Sequence, residues 1–434
     1  MRVIADFHIH SKYSRATSEK MDIDEITRFA KMKGLNLVGT GDFTHPKWLE
    51  ELKEKLVEVE GTNLYRFRKD PTSQVYFMVT GEVSTIFTFE NEVKKVHHVV
   101  LTPSLETAVQ INERLALHSN LSADGRPTLD MSAPQLVEEI MEVSKENVVF
   151  PSHAWTPWFS VFGAFSGFDR MEDCYQDMTR HIFALETGLS SDPPMNWRLS
   201  TLDKYTLVSN SDSHSSWPWR IGREANVFEL EQCTHSNVVD AIRTKDANRF
   251  KCTIETDPAY GKYHWTGHRN CKISLSPQEA IKFGNRCPVC NRRLTKGVEQ
   301  RVEELADRPV GFKPEKAIGY MHLLPLSEII ATVLGVTYPS VKKVWDIYNM
   351  LIEKFGNEYA VLIDASKEEM AKIVDPKIAE AVVRVREEKV KIVPGYDGVY
   401  GQLVLFEKGQ EEKEKKEESS LQKQKRQQSL FDFM

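Results

Sequence analysis

The sequence predicts an α/β barrel followed by a small metal-binding domain and a helical domain. Three observations carry this. Over residues 1–250, short apolar runs alternate with longer amphipathic ones, the cadence of strand–helix–strand units in a parallel sheet or barrel. His, Asp and Glu residues fall at the ends of those apolar runs, where α/β barrels gather their active sites. Beyond residue 250 the pattern changes: residues 252–300 hold four of the six cysteines, and residues 315–392 are helical with few strand signals.

Val3-Ile4-Ala5-Asp6-Phe7 reads as the first strand. Asp22 N-caps a helix with Ile23, Ile26, Phe29 and Ala30 on its apolar face, and Gly34 ends it. Leu35 to Val38 is the next strand. Pro46 opens a second helix, with Trp48, Leu49, Leu52 and Leu56 at helical spacing. Further strands are expected at Val75–Val79, Val96–Leu101, Val148–Phe150, Ile182–Leu185 and Tyr205–Val208, with helices near 105–117 and 134–143. Ser327–Leu334, Val341–Phe355, Lys367–Ile373 and Ile378–Glu387 read as amphipathic helices. After Phe406 the chain becomes EKGQEEKEKKEESSLQKQKRQQ, too polar to fold alone. The expected domains are 1–250, 251–310, 311–405 and a tail at 406–434.

Composition narrows the function classes. The 434 residues are 41% hydrophobic and 28% charged, enough for a real core and too apolar for a disordered chain. No run of about 18 apolar residues exists, which argues against a membrane span. The opening MRVIADFHIH lacks the apolar stretch of a signal peptide, so a cytoplasmic protein is expected. Six cysteines make no disulfide scaffold. A formal charge of −6 leaves any nucleic-acid contact to local patches.

The strand-end residues are His8 and His10, Asp42, Glu82, His97 or His98, His153, and Asp212 with His214. Together at one barrel mouth they would form a polynuclear metal site. Residues at i and i+2 of a strand share a face, so His8 and His10 can ligate together, whereas only one of His97 and His98 can. Imidazole suits Zn, Mn or Fe, and a carboxylate such as Glu82 can bridge two ions. Paired ions lower the pKa of a bound water and clamp attacking and leaving oxygens, which suits phosphate-ester hydrolysis without a nucleophilic Ser or Cys.

A second constellation is His268-x-x-Cys271 followed by Cys287-x-x-Cys290. Two such pairs fit a tetrahedral structural zinc, with His264 as the rival fourth ligand. Cys174, Cys233 and Cys252 read as buried thiols. Two aromatic loops stand out: Trp155, Trp158 and Phe159 lie in the loop that follows His153 at the expected mouth, and Tyr396 and Tyr400 lie in the Gly- and Tyr-rich GYDGVYG. Such rings can stack on an extruded base. Arg66 and Arg68, interleaved with aromatics, are candidate phosphate contacts.

These motifs resemble the polymerase and histidinol phosphatase (PHP) family of phosphoesterases. The resemblance rests on His8-x-His10, the Asp42 turn, Gly81-Glu82, the His98 strand, His153 and Asp212-x-His214. It implies a distorted (β/α)7 barrel with two or three divalent ions (Zn, Mn or Mg), His98 as the ligand of its pair, and Asp212, His214, Glu82 and His153 as catalytic groups. The chain departs from the pattern at Asp42-Phe43, where many members have Asp-His, so Asp42 itself is the expected ligand. The segment from Leu362 to Glu387 is similar to helix-hairpin-helix DNA-binding modules, without their usual glycine hairpin. Gln427, Leu430, Phe433 and Met434 look like a peptide that docks on the PCNA sliding clamp.

The order of barrel, zinc module, helical region and clamp peptide resembles a group of PHP-type DNA repair endonucleases. That resemblance implies a nick on the 5′ side of hypoxanthine, uracil, xanthine or an abasic site, in damaged double- or single-stranded DNA, by a monomer. The implied products carry 3′-hydroxyl and 5′-phosphate ends. The rival readings are a small-molecule phosphatase of the histidinol phosphate type and a clamp-associated DNA-binding scaffold.

Overall fold

The strands run, in chain order, β1 (Arg2–Asp6), β2 (Leu37–Gly39), β3 (Leu56–Val59), β4 (Leu64–Phe67), β5 (Tyr76–Phe89), β6 (Glu92–Thr102), β7 (Thr128–Leu129), β8 (Val148–Pro151), β9 (Ala184–Glu186), β10 (Thr206–Val208), β11 (Ala225–Glu229), β12 (Phe250–Glu255), β13 (Thr266–His268), β14 (Ile273–Leu275), β15 (Gly319–His322), β16 (Lys391–Val393) and β17 (Gln402–Val404). The computed structural model describes residues 1–406. The clamp-like residues Gln427, Leu430, Phe433 and Met434 lie outside the described residues.

Seven of these strands form a ring. β1 pairs in parallel with β2, and β2 with β5. β6 pairs antiparallel with both β5 and β8. The amide of Ala154, just past β8, donates to Glu186 O of β9 at 2.8 Å. β9 and β10 are parallel, and a parallel bridge from Ile9 to Ser213 closes the ring just beyond β10 and β1. Every ring strand sends apolar side chains to one cluster: Val3, Leu37, Met78, Val99, Phe150, Ala184 and Val208. That cluster fills the ring. Alternate residues such as Ile4 and Val38 face outward onto Ile26 and Phe29 of the first helix, in a second apolar layer.

The sequence reading expected parallel strands throughout. β6 is the exception, because β5 runs on far past Val79 and turns straight back. Glu90 and Asn91 both have positive φ (49° and 65°), the backbone of a tight hairpin whose twist matches its strands. Outside the ring, β11 pairs antiparallel with β1, and β12 and β15 extend the sheet. The first helix forms as expected, Ile23–Lys33, with the Asp22 carboxylate accepting from Glu25 N and Gly34 at φ 96°.

β13 and β14 form the hairpin that carries the cysteine module. The later helices, Leu326–Leu334, Lys342–Phe355, Lys367–Ala371 and Pro376–Arg386, bury Ile330, Val344, Tyr348, Leu351, Met370, Ile378 and Val382. A buried ion pair joins them to the ring's helical layer: Lys33 Nζ lies 2.7 Å from Glu358 Oε1. Among the described residues, no helix is long and apolar enough to cross a membrane.

Candidate metal centre

The ring brings most of the expected strand-end residues to one place. His8 and His10 follow β1, Glu82 sits inside β5, His97 inside β6, His153 follows β8 and Asp212 follows β10. Two groups of ligand atoms lie within 4.8 Å of one another: His8, His10, Glu82 and Asp212, and Glu82, His97 and His153. Glu82 belongs to both. Its Oε2 lies 3.4 Å from His8 Nε2 and 3.3 Å from His10 Nε2. Its Oε1 lies 3.1 Å from His97 Nδ1 and 3.3 Å from His153 Nε2. Asp212 Oδ1 lies 3.1 Å from His10 Nε2.

Three of the four imidazoles are oriented from behind. The Nδ1 of His8 meets the Glu186 carboxylate at 3.0 Å, and the Nδ1 of His10 meets Asp42 Oδ1 at 3.0 Å. His153 Nδ1 meets Ser160 Oγ at 3.0 Å. These contacts turn the Nε2 lone pairs toward the cluster, the carboxylate–histidine arrangement that fixes tautomer and aim at metal sites. The backbone cooperates under strain. Asp42, His153 and Asp212 all have positive φ (46°, 28° and 47°), a costly conformation that the surrounding packing must impose. Gly188 permits this at His153, because a Cβ at position 188 would come within 2.8 Å of His153 Cβ.

The electrostatics call for cations. Burial opposes charging of His8 and His10, yet Glu186, Glu82, Asp212 and Asp42 outweigh it and raise both well above the ordinary imidazole range. Burial opposes ionisation of Glu82 and Asp212 too, but the neighbouring histidines, with Arg126 beside Glu82, push both carboxylates down. His97 is held near 4 by burial, and so is neutral. The buried carboxylates thus make this a spot that favours positive charge. His8 Nε2 and Glu82 Oε1 are buried with no hydrogen-bond partner, so both are free to act as donors to an ion. The donor set of imidazole and carboxylate fits divalent ions.

Four expected residues are placed differently. His98 turns away: its ring nitrogens meet Thr85 Oγ1 and Tyr175 OH, both at 2.9 Å. Register explains the correction. His97 lies opposite Ser84 and His98 opposite Val83; directly opposed residues share a face, so His97 joins Glu82's face and His98 does not. Asp42 stands behind the cluster, because Ser11 N, Ser11 Oγ and Ser14 Oγ donate to its Oδ2 while Oδ1 holds His10. His214 lies outside both ligand groups; its Nδ1 meets Asp212 O at 3.0 Å and its ring flanks His10 at 4.3 Å. Trp155 is fully buried, donating to Asn196 Oδ1 and packed on Phe162, so no base can reach it.

The other aromatic and basic residues divide. Trp158 is 43% exposed and stacks on Phe165 with centroids 5.1 Å apart. Phe159 covers His97 at 4.8 Å, joining that ledge to the cluster. Tyr400 is 54% exposed, while Tyr396 packs on Gly267 of the cysteine module. Arg66 donates to Pro71 O and to the Tyr76 hydroxyl, and Arg68 to Glu54 O and Leu56 O. Both are committed to their own sheet edge, and neither touches the cluster.

Sequence reasoning missed Glu186 and Arg126. Glu186 follows the expected strand Ile182–Leu185 and could have been found as one more strand-end acid. Arg126 comes from a loop without strand signals, yet its Nη1 lies 3.1 Å from Glu82 Oε2. The second constellation assembles as read: His268, Cys271, Cys287 and Cys290 hold their ligand atoms within 4.8 Å of one another. His264 is not among them; its Nε2 faces Glu299 at 3.5 Å.

Comparison with known proteins adds to this geometry. Residues 325–389 match the family described as the MJ0043 C-terminal domain. The crystal structure of the lesion-specific endonuclease PfuEndoQ from Pyrococcus furiosus is 35% identical, with a TM-score of 0.83, over 93% of this chain and 95% of that one. An endonuclease Q bound to a 27-mer duplex substrate with an abasic lesion at the active site is 34% identical, with a TM-score of 0.83, over 94% and 97%. The uncharacterized protein MJ0043 of Methanocaldococcus jannaschii is 34% identical over 255 residues, and this chain spans 31% of its length.

Proposed function

This chain belongs to the endonuclease Q family, and we propose that it cuts DNA on the 5′ side of a deaminated or missing base. It is a metal-dependent DNA endonuclease. The lesions in this reading are hypoxanthine, uracil, xanthine and the abasic site, and the products carry 3′-hydroxyl and 5′-phosphate ends. The observation that carries the reading is Glu82, whose two oxygens each face a different histidine pair across a buried cluster. A carboxylate so placed could be shared by two ions.

His8, His10 and Asp212 would hold one ion and His97 and His153 the other, with Glu82 common to both. Divalent ions bound there supply a water of lowered pKa and positive charge at the phosphoryl oxygens. The chain's own groups do the rest. Glu186 and Asp42 keep His8 and His10 in the tautomer that offers Nε2. Arg126, beside Glu82, adds a fixed positive charge at the rim where the phosphate must enter. His214, flanking Asp212, would pass a proton to the leaving oxygen.

The exposed pair Trp158 and Phe165 meets bases next to the lesion, supported by Arg293 over the Phe165 ring. A zinc held by His268, Cys271, Cys287 and Cys290 gives form to a module with little core. The C-terminal Gln427, Leu430, Phe433 and Met434 tether the enzyme to the PCNA clamp.

The experiment is a nicking assay on end-labelled duplexes with one deoxyinosine or one abasic site, with Mg or Mn, beside an undamaged duplex. A single cut immediately 5′ of the lesion, leaving a 3′-hydroxyl that a polymerase extends, is expected. Cutting of undamaged DNA at the same rate would overturn the lesion reading.

A further inference from the structure

Asp212 is the most open member of the cluster, with its side chain 30% exposed. Its backbone is left-handed, at φ 47°. A residue with a Cβ keeps that conformation only where its surroundings over-determine it. The residues on either side supply the hold, and both Ser211 and Ser213 are fully buried. Ser213 is stitched to the chain just past β1, where His10 N donates to Ser213 O at 2.9 Å. Ser211 is gripped from two directions. Arg223 Nε and Nη2 donate to its carbonyl oxygen at 3.2 and 3.0 Å, and Asp6 accepts from both of its donors.

Asp6 ends β1 and is fully buried. It belongs to neither group of ligand atoms. Its acceptors are taken by the groups that carry those ligands. Oδ1 accepts from Ser211 N at 3.1 Å and from His8 N at 3.4 Å. Oδ2 accepts from Ser211 Oγ at 2.6 Å and from Gly222 N at 2.9 Å. Three of these donors are backbone amides, which cannot reverse their polarity. A side-chain amide at position 6 offers one oxygen, so at least one buried N–H loses its acceptor whichever way the amide turns.

The hold extends beyond the ring. Gly222 O accepts from the Tyr359 hydroxyl. Tyr359 is buried and lies in the helical region. Gly222 has φ 61°, and a Cβ there would come within 3.0 Å of Lys33 Cγ and 3.1 Å of the Tyr359 hydroxyl. Gly222 is thus braced by Asp6 on its N–H and by Tyr359 on its carbonyl.

We propose that Asp6 is a positioning residue for the metal ligand Asp212, and that Tyr359 of the helical region completes the brace through Gly222. Asp6 touches neither ion nor substrate; it fixes where the Asp212 carboxylate stands. The proposal rests on the two-ion reading above and makes the affinity of one ion depend on contacts outside its ligand set.

The test uses metal-stripped, full-length wild-type protein, Asp6→Asn and Tyr359→Phe. Each is titrated with manganese, with free Mn²⁺ read by electron paramagnetic resonance, and single-turnover cutting of an abasic duplex is followed against manganese concentration. In Asp6→Asn one manganese Kd rises about 10- to 100-fold, as for other partners of ligating groups. In Tyr359→Phe, one bond further out, it rises about threefold. Saturating manganese restores cutting in both, and duplex binding without metal is unchanged. Unchanged manganese affinity in either variant, whatever its Tm, would overturn the proposal. So would an Asp6→Asn protein that binds one ion fewer and cannot be rescued at any concentration, the behaviour of a lost ligand. If Asp6→Asn does not fold, Tyr359→Phe decides alone. Wild-type protein that still cuts after stripping would sink the two-ion reading instead.

Discussion

Lys33→Met should destabilise the whole chain far more than a surface lysine would. Lys33 leaves the end of the first helix and is 1% exposed at its side chain; its partner Glu358 is fully buried. Lys33 also donates to Pro218 O at 3.0 Å. Glu358 additionally accepts from Leu326 N at 3.0 Å and Tyr348 OH at 2.8 Å. Removing the ammonium leaves a buried carboxylate with neutral donors only. Breaking a buried pair from one side costs about 3–5 kcal/mol, mostly the desolvation of the orphaned charge. At about 2.1 cal/mol/K per residue, a chain of this length unfolding as one unit loses about 3–5 °C in Tm. Urea denaturation gives the free energy directly. Lys33→Met/Glu358→Gln removes both charges, so it should be less destabilised than the sum of the singles by about 2 kcal/mol. A loss under about 1 kcal/mol for Lys33→Met, or strict additivity, would refute the reasoning.

Further expectations concern the histidines and the cysteine module. His97→Ala should release metal from the cluster and abolish cutting, while His98→Ala, which loses only its bonds to Thr85 and Tyr175, should lower Tm and keep the metal; elemental analysis of both variants decides. His322 lies 3.1 Å from both Asp192 and Glu388, and burial works against its charge while Asp192, Asp257 and Glu388 raise its pKa to about 9. A raised histidine stabilises fully below its unfolded value near 6.5 and loses that contribution as pH climbs through about 9. Stability should therefore fall by at most about 3 kcal/mol across that window, and His322→Gln should flatten the fall in pH-dependent urea melts. Cys287→Ser should lower Tm and bound zinc together; full zinc retention would count against a structural site there.

Much of the fold was legible because local signals agreed with tertiary ones. Asp22 and Gly34 bracket a helix that the structure ends at the same residues. Strand-end residues met as expected at His8, His10, His153 and Asp212, because parallel strands deliver their carboxyl ends to one mouth. What sequence could not settle was register. Nothing local says that His97 opposes Ser84, so the choice between His97 and His98 depended on a pairing that only the folded hairpin defines. The length of β5 was hidden for a related reason. Gly81 reads as a strand breaker, yet it is the residue on which the buried Phe43 ring packs. The expected ligand Asp42 follows the same logic: the sequence shows an acid at a strand end, and only the fold shows Ser11 and Ser14 occupying it.

The cluster centred on Glu82 is proposed to cut DNA at a lesion. Its most direct test is single-turnover cutting of an abasic duplex by wild-type protein, by chelated protein and by Asp212→Ala, with duplex binding measured alongside. One cut 5′ of the lesion, lost on chelation and in Asp212→Ala while binding persists, is the predicted result. Undiminished cutting by Asp212→Ala would contradict it.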